Sequence, residues 1–112
     1  MTEFTEDMKK MYLDAMSKLS PEDAESQRIM LYEVGRSGDS EFFKSIIDAA
    51  TSTDALNQVY DTFVEFGKYG NAELVLDGFL KKYPEKNSIT YQAAADAKKV
   101  LHKLNEQKRT EN

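Results

Sequence analysis

Residues 63–76, FVEFGKYGNAELVL, decide the fold, because a helix-forming stretch is broken there by two glycines three residues apart, Gly67 and Gly70. The same punctuation stands 32 residues earlier in MLYEVGRSGDSEFF (30–43), where Glu33, Gly35, Gly38 and Glu41 take the places of Glu65, Gly67, Gly70 and Glu73. Apolar residues on both sides of each glycine pair recur at helical spacing. Each pair is therefore expected to form the turn of an antiparallel helical hairpin. One glycine ends a helix in left-handed geometry and the other leads into its partner. Such a hairpin cannot bury its apolar side alone, so the repeat implies stacked neighbours.

Outward from the turns, helical periodicity continues and strand signals are nearly absent. A first helix over about residues 3–18 places Phe4, Met8, Met11, Tyr12, Ala15 and Leu19 on one face. Ser20 as N-cap and Pro21 at the first helical position open a second helix, expected to run to Val34 and stop at Gly35. Asp39 or Ser40 caps a third, with Phe42, Phe43, Ile46, Ile47 and Ala50 as its stripe. The stretch TSTDA caps a fourth helix, whose face is Leu56, Val59, Tyr60 and Phe63. Ala72, Val75, Leu76, Phe79, Leu80 and Tyr83 line a fifth, closed by Pro84. Asn87 or Ser88 opens a sixth, with Ala93, Ala94, Ala97, Leu101 and Leu104 inward. The fold expected is all-α, about six helices in stacked antiparallel hairpins, either as a repeat array or as a compact helical bundle. The expected organisation is one helical domain over residues 1–106, made of an N-terminal helix (1–19), hairpins at 21–52 and 53–86, and a capping helix (87–106), followed by a frayed tail (107–112).

Composition narrows the function. A chain of 112 residues with 40% hydrophobic residues can build one modest core. No apolar run approaches the ~18 residues of a membrane span, and the N-terminal stretch lacks the apolar region of a signal peptide. Without cysteine there is neither a disulfide framework nor a thiolate metal site, so a cytoplasmic protein is expected. The net charge of −5 is unevenly placed: residues 1–65 hold 14 Asp and Glu against 6 Lys and Arg, residues 66–112 hold 6 against 9. Direct nucleic-acid binding by the acidic part is disfavoured, since phosphate contacts need clustered cations.

Residues 53–86 resemble a tetratricopeptide repeat, whose period is about 34 residues. Leu56, Val59 and Phe63 match the large apolar positions of that family's first helix, Gly67 and Tyr69 its turn, Ala72 its small close-approach position, and Leu76, Phe79, Leu80 and Pro84 its second helix and closing proline. Tyr60 and Phe79 depart from the pattern at positions that are usually small. Residues 21–52 match at Leu31, Gly35 and Gly38 but carry Gln27 and Arg28 where apolar or small residues belong. The resemblance implies a scaffold that binds peptides or protein surfaces on the side formed by the first helix of each hairpin. It maps Asn57, Asp61 and Glu65 onto that side, joined by Glu25, Tyr32 and Glu33 from the weaker repeat and by Tyr91 from the capping helix. Asp61 and Glu65 have the wrong sign for a carboxylate clamp, so a basic or neutral segment is the expected partner.

The residues offer little for chemistry. His102 is the single histidine, and a zinc or di-iron site needs three or four converging ligands, so a surface histidine near a helix end is expected. Acid pairs one turn apart, Asp61 with Glu65 and Glu73 with Asp77, are expected to be solvated helix faces rather than catalytic dyads. GRSG and GKYG resemble the GXXG loop of KH domains, but no strands are present to build the sheet such a domain needs. Lys98, Lys99, Lys103, Lys108 and Arg109 are read as cations complementing a helix C-terminus. Met8, Met11 and Met16 offer the material of an adaptable partner groove, but Met8 and Met11 share the apolar face with Tyr12 and are read as core, with the alternative that this face receives a partner helix or a second copy of the chain. No enzymatic activity, cofactor or metal is expected. The expected function is protein or peptide binding, with homodimerisation as a candidate. The alternative is an acidic inhibitor or immunity-type protein that covers a basic nucleic-acid-binding surface.

Overall fold

The computed structural model describes residues 4–82 and 89–110, with side chains over 4–82 and 91–108. The expected roles of Tyr83, Pro84, Asn87 and Ser88 fall outside the described residues. The chain is all-α: among the described residues there are six helices and no strand. They are α1 (Glu6–Lys18), α2 (Ala24–Arg36), α3 (Ser40–Ala49), α4 (Thr53–Glu65), α5 (Tyr69–Lys82) and α6 (Ile89–Thr110). The chain divides into two compact units, residues 1–59 and 60–112.

In the first unit α1 packs against both α2 and α3, and α2 packs against α3. Thr5 caps α1, its hydroxyl accepting the Met8 amide. The phase of α1 differs from the sequence expectation. Met16 is fully buried, whereas Met11 is 68% exposed and Ala15 is exposed too. The aromatic rings set this rotation: Phe4, Tyr12 and Phe42 meet edge to face, with centroids 5.0–6.3 Å apart, and draw inward the side of α1 that carries Tyr12 and Met16. Lys9 lies over the Phe42 ring and forms a 3.0 Å ion pair with Asp39, which also caps α3 by accepting the Phe42 amide. α1 thus docks within its own chain.

Helix α2 starts and stops later than its sequence signals suggest. Ser20 does not cap it. Residues 20–23 form a turn, in which Asp23 Oδ2 accepts from the Ser20 amide and the Asp23 amide bonds Ser20 O, and the helix begins at Ala24. At the other end it runs through Gly35, which is buried in its last turn. The Ser37 hydroxyl donates to Val34 O and accepts the Asp39 amide, and Gly38 takes the left-handed conformation (φ +85°).

The two glycine pairs are not equivalent. In the second pair the first glycine is left-handed: Gly67 has φ +72°, while Gly70 lies in the first turn of α5. Lys68 N bonds Phe63 O and Gly67 N bonds Val64 O, the double bond pattern of a Schellman C-cap. The elements therefore do not recur at the 32-residue echo. Ala24 and Thr53, Arg36 and Glu65, Gly38 and Gly67, and Ser40 and Tyr69 are each 29 residues apart, and these pairs start α2 and α4, end them, turn the chain, and start α3 and α5.

Gln27 explains how a polar residue occupies a core position 29 residues before the buried Leu56. It is fully buried, and all four of its hydrogen-bonding sites are used. Its amide nitrogen donates to Ser20 O (2.8 Å) and Thr51 Oγ1 (2.9 Å), and its oxygen accepts the amides of Thr51 (2.9 Å) and Ser52 (3.0 Å). It binds the turn before α2 to the linker between α3 and α4. Ser52, also buried, caps α4 by accepting the Ala55 amide.

In the second unit α6 packs along α5. Its facing residues descend in antiparallel order: Lys108 donates to Gly67 O (2.8 Å) and lies over the Tyr69 ring, Asn105 stands beside Gly70, His102 beside Glu73, and Lys98 pairs with Asp77. Anchoring by Lys108 carries α6 to Thr110, beyond its expected end at residue 106. No described helix is long and apolar enough to cross a membrane.

Candidate partner-binding surface

Helix α2 buries Gln27, Leu31, Val34 and Gly35, which fixes the opposite side as its outward stripe. Glu25, Ile29, Tyr32 and Arg36 follow one another there at spacings of four, three and four, so they stack along one side. Glu25 is exposed, Ile29 is 42% exposed and Tyr32 is half-buried. The Arg36 guanidinium sits 5.4 Å from the Tyr32 ring centre, covering one end of the stripe.

Glu33 does not join this stripe as the sequence reading has it. One residue further round the helix, it accepts a 2.9 Å hydrogen bond from the Tyr12 hydroxyl of α1. Partial burial and this carboxylate together push the Tyr12 phenol above its ordinary range, so it remains a donor through neutral pH. Glu33 is thus part of the α1–α2 junction, although its residue surface stays exposed.

On α4, Asn57, Asp61 and Glu65 are all exposed and four residues apart, along the side away from the buried Ala55, Leu56, Val59 and Phe63. Tyr60, between the two sides, is half-buried; burial first and the Asp61 charge second raise its phenol pKa. Tyr91 lies in the first turns of α6 and is half-buried. Asn57 belongs to the first unit, and Asp61, Glu65 and Tyr91 to the second.

Ile29 is the residue that sequence reasoning missed. It lies four residues after Glu25 and three before Tyr32, so the spacing that selected those two would have found it. The acidic environment of His102 was also missed. Glu106 lies one helical turn along α6, with Oε1 3.1 Å from Nε2, and Glu73 of α5 approaches the other ring nitrogen. Among the described residues no group of three or more His, Cys, Asp or Glu could hold a metal ion.

The charge asymmetry follows the structural division. Residues 1–59 carry 12 acids and 6 bases, residues 60–112 carry 8 and 9. Three of the six bases in the first unit are already engaged: Lys9 with Asp39 and Glu6, Lys18 with Asp14, and Lys44 with Glu41. The surface of that unit is therefore acidic with little free positive charge to offset it.

Searches against family models, curated proteins and solved structures each return no match for this chain.

Proposed function

We propose that this chain is a non-enzymatic binding module that docks a basic or neutral segment of another protein through the outward side of α2. The observation that carries the reading is the α2 stripe, where an exposed isoleucine and a half-buried tyrosine lie in line with an exposed glutamate. Apolar contact area beside a fixed negative charge suits a partner segment that presents an apolar residue next to a lysine or arginine. Tyrosine adds a ring that is already partly ordered and loses little freedom on binding. Asn57, Asp61 and Glu65 carry the same charge preference on the outward side of α4, with Asn57 able to hold a peptide backbone. The likeness of residues 53–86 to a tetratricopeptide repeat supports the choice of the outward side of α4.

An array of immobilised peptides graded from acidic to basic tests the reading. Retention should rise with peptide charge and fall at least about tenfold on Tyr32→Ala or Ile29→Ser, the loss of one central contact. Retention of acidic peptides, or indifference to both substitutions, would overturn it.

A second reading has its own support in the excess of acids over bases in residues 1–59. An acidic surface of that kind can occupy a site built for phosphates, as an inhibitor of a basic nucleic-acid-binding protein does. That complex would dissociate steeply as salt rises, whereas docking on Ile29 and Tyr32 would not. The exposed Met11 on α1 offers a contact to a second copy of the chain, and the sedimentation of Met11→Lys against the unaltered protein decides that point.

A further inference from the structure

Three of the four levels at which α6 faces α5 are satisfied polar or packing contacts, and the His102 level is not. Glu73 Oε1 is removed from water and has no hydrogen-bond partner. The group facing it is His102 Nδ1, 3.6 Å away. On the other edge of the ring, Nε2 is 3.1 Å from Glu106 Oε1.

A neutral imidazole has one N–H and one lone pair. With the N–H donated to Glu106, the nearer carboxylate, the Nδ1 lone pair faces a carboxylate oxygen that water cannot reach. Protonation puts an N–H on both edges, and each carboxylate then has a donor. We infer that His102 is a proton-operated clasp between α5 and α6, holding the two helices more firmly in its doubly protonated form.

The surrounding charges allow this. From α5, Glu73 and Asp77 face the α6 ladder, and Asp77 is already paired with Lys98. The Asp77 carboxylate, with a smaller contribution from Glu73, holds the Lys98 ammonium above its ordinary pKa, so Lys98 stays charged. On α6 itself, Glu106 lies one turn after the histidine and Lys98 one turn before, with Lys99 and Lys103 exposed. Glu73 is therefore the one carboxylate at this level whose partner depends on pH.

Thermal unfolding of the full chain at about pH 5.5 and about pH 8, for the unaltered protein, H102Q and E73Q, tests the clasp. The melting temperature of the unaltered protein should exceed that of H102Q by about 2–4 °C more at the lower pH than at the higher. E73Q should remove at least half of that increment, because its amide can donate to a neutral ring nitrogen. Ring nitrogen NMR of the unaltered protein at the higher pH should place the single proton on Nε2. An increment equal at both pH values, one that survives E73Q in full, or a proton on Nδ1 would overturn the inference.

Discussion

Gly67 and Gly70 look alike in the sequence and do different work in the structure. Gly67 closes the Schellman turn with a positive φ, a region where a Cβ meets the following carbonyl, so Gly67→Ala should cost about 1–2 kcal/mol. Gly70 is ordinary helix, and a Cβ there would meet nothing nearer than Asn105 Nδ2 at 3.8 Å. Gly70→Ala should therefore gain about 0.5–1 kcal/mol from restricting the unfolded chain. Urea denaturation of both variants checks the pair. Gln27 gives a second prediction at this scale. Leucine is the residue found 29 positions on, yet Gln27→Leu should cost about 2–3 kcal/mol, because the Thr51 and Ser52 amides lose their acceptor inside the protein. The role of Gln27 was not legible in the sequence: a lone glutamine among apolar positions signals a mismatch until its partners, seven and about 24 residues away, are known.

At the scale of the element, helix identity was legible and helix phase was not. The periodic stripes of α3, α4 and α5 are local, and Phe42, Phe43, Ile46, Ile47, Leu56, Val59, Phe63, Val75 and Leu76 are all buried as their spacing predicts. The phase of α1 depends instead on rings supplied by α3, so a reading confined to the helix placed Met11 inward and left Met16 off the apolar face. The start of α2 was misread because the Ser20–Pro21 signal is taken up by a turn that Asp23 closes. Likewise the 32-residue echo of glycines and acids lies across a 29-residue recurrence of helices. The α1–α3 tie carries a pH prediction. The Asp39 carboxyl is held below its ordinary pKa, first by the Phe42 amide and then by Lys9. A carboxyl depressed in the folded state stabilises at pH values above its unfolded value, about 3.9, and that stability is lost as pH falls through the lower folded value. Asp39→Asn should therefore be less stable than the unaltered protein at neutral pH, and the gap should close below about pH 4. Added salt should narrow the neutral-pH gap only in part, since screening weakens the Lys9 pair and spares the amide bond.

At the scale of the whole molecule, the sequence made the charge asymmetry legible, while the outward stripe of α2 needed the helix boundaries. Glu25, Tyr32, Asn57, Asp61 and Glu65 lie on exposed or half-exposed helix sides, and Glu33 is committed to α1. On the proposed reading, charge would govern the rate and selectivity of encounter, and the Ile29 and Tyr32 side chains how long a complex lasts. The most direct test is affinity capture from native cell extract at low and high salt, using the unaltered protein beside Tyr32→Ala and the double variant Asp61→Lys, Glu65→Lys. The account predicts a protein partner still held at high salt, lost on Tyr32→Ala and captured less at low salt by the charge-reversed variant. A partner retained equally by all three proteins, or one released entirely as salt rises, would contradict it.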